Sequence, residues 1–260
     1  MNYTSLKYST ENRISTITLN RPEKRNALDD IMIRELSDVL SNVNRNTQSR
    51  IVVITGEGNS FCAGMNLDYL KTYSELPQEQ NLEDARNLMK MLQLIPNLRK
   101  PIIAMVNGPA LGGGCGIAAA CDFVFAGKQK AKIGVPEVRL GFIPAVIIGF
   151  LIKRMGESSA KEFSLCGDIL DATTAMQKGL VSEVVDDDRL SERVYEFACE
   201  LARTTSPASI TLIKDLFSRY SEMNLKDVME YAANLNALVR KTDDFKKGID
   251  SFLKKEKLEW

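Results

Sequence analysis

The sequence predicts an α/β core followed by a C-terminal region made only of helices. Short runs rich in β-branched residues alternate with helical patterns as far as Val185, and only helical patterns follow Arg189. Two of the runs, residues 51–55 and 101–106, are almost entirely apolar, which is typical of buried parallel strands. Each of these two runs leads into a turn that contains glycine. We therefore expect a parallel sheet whose strand ends carry glycine turns.

The composition allows a large core and argues against a polyanionic partner. Hydrophobic residues make up 44% of the 260 residues, which suffices for one large α/β domain or for a domain with an appendage. Lysine plus arginine equals aspartate plus glutamate at 34 each, so no net field favours nucleic acid or an anionic membrane surface. An anionic ligand must therefore be bound by local groups.

The five cysteines and the absence of histidine limit the chemistry further. No cysteine pair has C-x-x-C spacing, the N-terminal residues lack a signal-peptide core, and no apolar run reaches the roughly 18 residues of a membrane span. These features predict a reduced, soluble, cytoplasmic protein. Without histidine, Ser-His-Asp and Cys-His catalysis and histidine zinc sites are excluded. Acid–base work must then fall to Asp, Glu, Lys, Tyr or Cys.

The elements before residue 100 follow from local patterns. Residues 14–19 form a β-rich run that ends before Pro22, and a polar loop then leads to a helix with Asp29 or Asp30 in its first turn. Apolar residues at helical spacing define one face of this helix and one face of a second helix after Pro77. The first face contains Leu36, Val39, Leu40 and Val43, and the second contains Leu82, Ala85, Leu88, Met89, Leu92 and Ile95.

The later elements are predicted in the same way. Residues 122–126 and 181–185 have the composition of strands. Residues 145–155 are apolar almost all round, which predicts a buried helix. The last helix begins at about Asp243 and has one apolar side, which we expect to be packed. That side contains Phe245, Ile249, Phe252 and Leu253.

Residues 104–122 (AMVNGPALGGGCGIAAACD) are the stretch with the most specific pattern. A strand leads through a turn to Gly112, Gly113 and Gly114, and the small residues 116–121 then predict a tightly packed helix. Glycines and a first helical turn can aim bare backbone N–H groups at an anion or a developing oxyanion. A dinucleotide turn is disfavoured by Ile117 and Lys132, and no P-loop tail is present. An oxyanion hole and plain close packing of helix on sheet remain as the two alternatives.

The second strand and glycine turn reveal a resemblance. FCAGMNL (61–67) is similar to the motif F-x-A-G-x-D-L of the crotonase family, the enoyl-CoA hydratases and isomerases. NGPALGGGCGIAAACD (107–122) resembles its N-G-x-x-x-G-G-G-x-E-L-x-x-x-C-D, and VPEVRLGFIP (135–144) resembles its x-P-E-x-x-L-G-x-x-P. NRPEKRNAL (20–28) also matches in kind and place. The resemblance spans residues 10–260 with the motifs in the family's order.

This resemblance implies the fold and the assembly. It implies a crotonase (ClpP-like) spiral of ββα units over residues 1–200 and a helical trimerisation region over residues 201–260. The expected assembly is a homotrimer or a hexamer built from two trimers. The substrate is an acyl-CoA thioester, CoA being part of the substrate, and no metal, redox cofactor, nucleic acid or membrane is implied.

The resemblance also implies the binding residues. The family's oxyanion hole corresponds to the backbone N–H groups of Met65 and Gly113, which would hold the thioester carbonyl. The positions expected to bind CoA lie in the early loop and in the first glycine turn. They are Lys24, Arg25, Ala27, Ala63, Gly64, Met65, Asn66 and Leu67.

The carboxylates depart from the pattern of hydratases that hold one water between two glutamates. The second of these corresponds to Glu137, but Gly116 stands where the first is expected. Glu137 lies between Val135 and Pro136 on one side and an apolar stretch on the other, which predicts a raised pKa and a role in proton transfer. The alternative is an ordinary loop acid paired with Arg139.

One carboxylate and an oxyanion hole are compatible with several functions. The leading hypothesis is hydration of a 2-enoyl-CoA by Glu137, and the motifs GGGCGIAAACD, EVRLGFIPAV and QNLEDARNL resemble the bacterial methylglutaconyl-CoA hydratase group. Asn66 and residues 147–150 depart from that group. The alternatives are a single-base isomerase that converts a 3-enoyl-CoA to a 2-enoyl-CoA and a non-catalytic CoA-thioester binder. A dienoyl-CoA isomerase ranks lower, because Ala145 stands where some of them have an acid.

Overall fold

A mostly parallel sheet forms the centre of the computed structural model, which describes residues 3–260. Among these residues the larger sheet has the order β1-β2-β3-β4-β6-β9, in which only β1 runs antiparallel to its neighbour. A small second sheet has the order β5-β7-β8. The strands are β1 (Leu6–Glu11), β2 (Ile14–Leu19), β3 (Ile51–Gly56), β4 (Ile102–Val106), β5 (Ala110–Leu111), β6 (Phe123–Gly127), β7 (Lys132–Gly134), β8 (Ile169–Asp171) and β9 (Glu183–Val185).

Helices cover both faces of the larger sheet and form the C-terminal region. They are α1 (Asp30–Arg45), α2 (Leu67–Ser74), α3 (Gln78–Leu94), α4 (Gly113–Ala120), α5 (Ile148–Met155), α6 (Glu157–Cys166), α7 (Ala172–Gln177), α8 (Leu190–Thr204), α9 (Pro207–Arg219), α10 (Leu225–Val239) and α11 (Asp243–Lys254). Within residues 3–260, no helix is both long enough and apolar enough to cross a bilayer.

The burial of strand β3 confirms the prediction that its apolar run forms a buried parallel strand. All residues of β3 are buried, and alternate residues point to opposite faces. Val52 and Ile54 belong to the larger core, together with α1, α3 and α4. Ile51 and Val53 belong to a second core, which α8 covers. Both faces of the sheet are therefore buried, as expected of strands that are apolar on both sides.

Helix α1 confirms the predicted start and the predicted apolar face. The Asp29 carboxylate accepts a hydrogen bond from the Met32 N–H at 2.9 Å and so caps the helix. The predicted face is buried, because the apolar stripe lies against the sheet. Three short strands were not predicted: β1 is mostly exposed, β5 has two residues, and β8 is half-exposed.

Four predictions about helices were wrong in part. On the predicted apolar face of α3, Leu92 is buried but Leu82 and Met89 are exposed. The helix after the glycines begins at Gly113 and not at 116, so two of the glycines lie inside α4. Residues 145–155 are not buried all round: a short 3₁₀ turn and α5 bury only Ile147 and Leu151, while Ile152 is exposed. The apolar side of α11 is exposed within this chain and not packed. The apolar residues of α5 and α11 therefore do not all serve the chain's own core.

The C-terminal helices divide into two groups by their burial. Helix α8 buries Leu190, Val194, Ala198 and Ala202 against the sheet, and the predicted boundary at residue 200 falls within it. In contrast, α9, α10 and α11 contain no buried residue. Their role as a trimerisation region remains a prediction.

Candidate active site

The two glycine turns lie side by side at the ends of β3 and β4. These strands are adjacent and parallel, so their C-terminal ends meet at one edge of the sheet. Cys62 and Ala110 form a bridge just beyond them, and the Leu111 N–H donates to the Cys62 carbonyl at 2.9 Å. A Cβ added to Gly64, whose φ is +89°, would stand 2.8 Å from the Leu111 carbonyl oxygen. Only glycine permits this close approach of the two turns.

Two backbone N–H groups at this junction have no partner among residues 3–260. Gly113 is the first residue of α4, where an N–H has no acceptor within the helix. On the other turn, the Leu28 N–H donates to Gly64 and the Asn66 N–H donates to Leu28, and this pairing leaves the Met65 N–H free. The predicted donors Met65 and Gly113 directly follow Gly64 and Gly112, and a Cβ added to Gly64 would stand 3.6 Å from the Gly112 Cα. This arrangement is compatible with an oxyanion hole.

Glu137 lies against the second glycine turn. It belongs to a 3₁₀ turn, Pro136–Leu140, and its Oε1 is 2.9 Å from the position that a Cβ of Gly112 would take. Its Oε2 is buried and has no hydrogen-bond partner within the described chain. Burial raises the pKa of Glu137, because removal from water disfavours the carboxylate. A carboxyl group with these properties is suited to accept and return a proton.

The alternative interpretation of Glu137 as a loop acid paired with Arg139 was wrong. The Arg139 guanidinium instead lies 3.9 Å from the Asp168 carboxylate and donates to the Cys166 carbonyl at 3.3 Å. Within residues 3–260 the carboxylate of Glu137 has no cationic partner, and burial is the main influence on its pKa.

The space that a side chain at residue 116 would fill is occupied by the side chain of Ile147. A Cβ at residue 116 would overlap Cγ2 of Ile147 and would stand 3.0 Å from its Cβ. Ile147 is 3% exposed. From the sequence, the segment 142–150 is expected to shape the acyl pocket, but nothing local shows that Ile147 packs on α4. The only signal was its place in a segment that departs from the motif of related sequences.

The predicted CoA-binding positions form one continuous strip. The Ala63 N–H donates to the Arg25 carbonyl at 3.0 Å, so the early loop is attached directly to the first glycine turn. Lys24 and Arg25 are exposed and lie beside this attachment, whereas Ala27 is buried. Two basic side chains at the edge of a site can bind the phosphates of CoA.

Asn66 and Leu67 lie at the start of α2 and differ from each other in their surroundings. The Asn66 side chain accepts from the Asp68 and Tyr69 N–H groups at 2.9 and 3.2 Å, so it caps this helix. Leu67 is exposed. The structure thus brings Leu67 to the surface of the strip, while the side-chain oxygen of Asn66 is already engaged.

The three cysteines closest to the junction are structural. Cys62, Cys115 and Cys121 are buried, and burial raises the pKa of Cys62 and of Cys121 to about 12. Burial, with an added contribution from the charge of Glu137, also raises the pKa of Cys115. Thiols with raised pKa values are poor nucleophiles at neutral pH.

Comparisons with known proteins show what this chain is similar to. A family model described as "Enoyl-CoA hydratase/isomerase" matches residues 9–260. A 2,3-dehydroadipyl-CoA hydratase of Escherichia coli is 36% identical over 95% of this chain and 94% of its own length. A crotonyl-CoA hydratase of Syntrophomonas wolfei is 32% identical over 99% and 98%. A solved chain from Legionella pneumophila, described with the words "enoyl CoA hydratase/isomerase (crotonase)", has a TM-score of 0.89, 33% identity and 98% coverage of both chains.

Proposed function

The chain belongs to the enoyl-CoA hydratase/isomerase family, and on that premise we propose that it hydrates a 2-enoyl-CoA thioester with Glu137 as its acid–base group. The observation that carries the proposal is the buried, unpartnered carboxyl oxygen of Glu137 beside the turn that supplies the Gly113 N–H. Relatives named as hydratases of crotonyl-CoA and 2,3-dehydroadipyl-CoA support hydration as the reaction. The expected crotonase fold agrees with the solved Legionella pneumophila chain.

In the proposed reaction, the chain's own groups perform each step. The thioester oxygen accepts hydrogen bonds from the Met65 and Gly113 N–H groups, which stabilise negative charge on that oxygen. Glu137 takes a proton from water while the water oxygen bonds to C3 of the substrate. The C2–C3 electron pair moves into the enolate held by the two N–H groups. Glu137 then returns the proton to C2, which completes the 3-hydroxyacyl-CoA.

CoA itself is proposed to lie along the strip formed by the early loop and the first glycine turn. Lys24 and Arg25 would contact its phosphates, and residues 63–67 would contact the rest of the carrier through backbone groups and the exposed Leu67 side chain. The attachment of Ala63 to Arg25 supports this placement, because it holds the basic loop next to the oxyanion donors.

A second candidate is isomerisation of a 3-enoyl-CoA to a 2-enoyl-CoA. Its support is the packing of Ile147 on Gly116, which leaves hydrocarbon where a second acid–base group would stand. Moving a double bond needs one base that removes a proton from C2 and delivers it to C4. Glu137 alone could perform both transfers.

The first test uses purified protein in D₂O with crotonyl-CoA, methylglutaconyl-CoA and a 3-enoyl-CoA in parallel. Loss of the conjugated thioester absorbance from the 2-enoyl substrates, with a deuterated 3-hydroxyacyl product, is the result expected for hydration. Gain of that absorbance from the 3-enoyl substrate alone would replace hydration by isomerisation. Binding of all three substrates without turnover would point to a substrate with a different acyl group or to a CoA-thioester binder.

The exposed apolar faces of α9, α10 and α11 support an assembly of several copies, which we propose to be a homotrimer or a pair of trimers. Phe217 is 65% exposed, Leu225 is 76% exposed and Phe252 is 80% exposed. Apolar faces of this extent are typical of protein interfaces. We propose that they pack against equivalent helices of neighbouring copies.

Replacing Phe252 with Asp is expected to shift the protein toward the monomer, because a charge would be buried in the apolar contact. Sedimentation velocity over a range of concentrations measures the shift. Lys255→Asp, at an exposed position at the end of α11, is the control and should keep the native assembly. A wild-type protein that sediments as a monomer at micromolar concentration would contradict the proposal.

A further inference from the structure

Asn26 is a polar, completely buried residue of the early loop (residues 20–28), and the proposed reaction gives it no role. Its side-chain N–H groups donate to the Glu57 carbonyl at 3.0 Å and to the Ser60 carbonyl at 2.8 Å. Its side-chain oxygen accepts from the Arg21 N–H at 2.8 Å. Both donors of the carboxamide are therefore used. This one group closes the early loop on itself and fastens it to the turn that follows β3.

The backbone at this point has a conformation that most residues avoid. Arg25 has φ of +52° and Asn26 has φ of +55°, so two successive residues lie in the left-handed region. Asparagine is several-fold enriched in this region, but it is uncommon for other residues with a side chain. Such a conformation persists only where the surrounding contacts determine it. The buried amide supplies these contacts, together with the Asn26 N–H, which donates to the Arg21 carbonyl at 2.9 Å.

Asn26 lies between two attachments of the early loop to the first glycine turn. Before it, the Ala63 N–H donates to the Arg25 carbonyl at 3.0 Å, and after it, the Leu28 N–H donates to the Gly64 carbonyl at 2.7 Å. These contacts join backbone groups and do not require a particular side chain at residue 26. The amide adds a fixed point for the preceding part of the loop, which contains the two exposed basic side chains.

The three basic residues of the early loop differ in their partners. Arg21 forms an ion pair with Asp29, the residue that caps α1. In contrast, Lys24 and Arg25 are exposed and take part in no ion pair within residues 3–260. Ordering a loop and its side chains on binding costs conformational entropy. A backbone that is already held in place therefore presents these two cations to phosphate groups at a lower entropic cost.

We propose that Asn26 is a positioning residue for the carrier of the substrate: its buried amide holds the early loop in the conformation in which Lys24 and Arg25 reach the phosphates of CoA. The inference rests on the proposed binding of CoA along this strip and deepens it. Asn26 acts on CoA through the two basic residues. Its loss should therefore weaken recognition of CoA and leave the proton transfers of Glu137 unchanged.

Replacing Asn26 with Gly tests the proposal, because glycine adopts the left-handed conformation readily and removes the amide. Two substrates are compared: crotonyl-CoA, and crotonyl-N-acetylcysteamine, a short thioester that lacks the phosphates and the adenosine. If the released loop holds the binding conformation for about a tenth of the time, the apparent affinity for CoA falls about tenfold. We therefore expect kcat/KM for crotonyl-CoA to fall by that factor, through KM, and kcat/KM for the short thioester to stay at the wild-type value.

A double-mutant cycle tests whether Asn26 acts through the basic pair. In a background that carries Lys24→Ala and Arg25→Ala, Asn26→Gly should have no further effect on the KM for crotonyl-CoA, because the side chains that it positions are gone. A further loss in this background as large as the loss in the wild type would overturn the proposal.

Asn46→Gly is the matched control for the loss of an asparagine amide. The Asn46 side chain donates to the hydroxyl groups of Tyr8 and Thr10 at 3.0 and 3.3 Å. It lies in the loop that precedes β3, whereas the first glycine turn follows that strand. This variant should keep the wild-type kcat/KM for both substrates.

The remaining outcomes separate this proposal from the proposed reaction. Equal losses on the two substrates in Asn26→Gly, or no loss on either, would overturn the role of Asn26. Isothermal titration calorimetry with free CoA provides a readout without turnover. Weaker binding of CoA by Asn26→Gly than by a wild type that converts no enoyl-CoA would support the role of Asn26 and overturn the proposed reaction. If Asn26→Gly does not fold, Asn26→Ser, whose hydroxyl keeps one donor, allows the same comparisons.

Discussion

Replacing Glu137 with Gln is expected to lower kcat by about 10²–10⁴-fold, the usual contribution of a positioned acid–base group. Glutamine has the shape of the glutamate side chain but does not accept and return a proton at neutral pH. The oxyanion donors are backbone groups and are unchanged, so the KM for a 2-enoyl-CoA should change little. Steady-state kinetics with the substrate identified in the D₂O assay measures both quantities.

The stability of Glu137→Gln separates a catalytic effect from a folding defect. The pKa of Glu137 is raised in the folded state, so its contribution to stability is present at low pH and is lost as the pH rises through the folded pKa. At pH 7 the neutral glutamine should therefore fold at least as stably as the wild type. Glu162→Gln, an exposed acid 3.6 Å from Lys178, is the matched control and should keep full activity. Full activity of Glu137→Gln would overturn the proposed mechanism.

Replacing Gly112 with Ala is expected to lower kcat by about 10²-fold, the scale of loss that a misplacement of about 1 Å can cause. The added Cβ would stand 2.9 Å from Oε1 of Glu137 and would displace the carboxyl group. The residue also has φ of +51° and ψ of −119°, a backbone conformation that costs a non-glycine residue about 1–3 kcal/mol. The turn that presents the Gly113 N–H would shift as well.

Gly156→Ala provides the matched control for backbone strain. Gly156 has φ of +77° and an added Cβ would meet nothing within 4 Å, so alanine there adds strain without displacing another group. Both variants should lower the melting temperature, but only Gly112→Ala should lower kcat. Equal losses of kcat in the two variants would mean that the effect is a general loss of stability.

Local sequence patterns predicted the elements that are buried on one side or on both sides. Helix α1 was predicted with Asp29 or Asp30 in its first turn and with a buried face, because an apolar stripe with period 3.6 must face the core. The strand β3 was predicted because continuous apolar residues are stable only in a sheet covered on both faces. The pattern failed for α5 and α11, since the spacing of apolar residues does not reveal whether the chain itself or another surface covers them.

By itself, the sequence determined the α/β fold class and the two glycine turns, because each depends on residue types at local spacing. Its resemblance to a family motif predicted that Glu137 is the acid–base carboxyl group. Only the tertiary structure decided what surrounds that group. Arg139 lies beside the Asp168 carboxylate, the Glu137 carboxyl group lies beside Gly112, and Ile147 packs on Gly116. These contacts join segments that are distant along the chain. Their partners are selected by the packing of whole elements, and no local pattern encodes that selection.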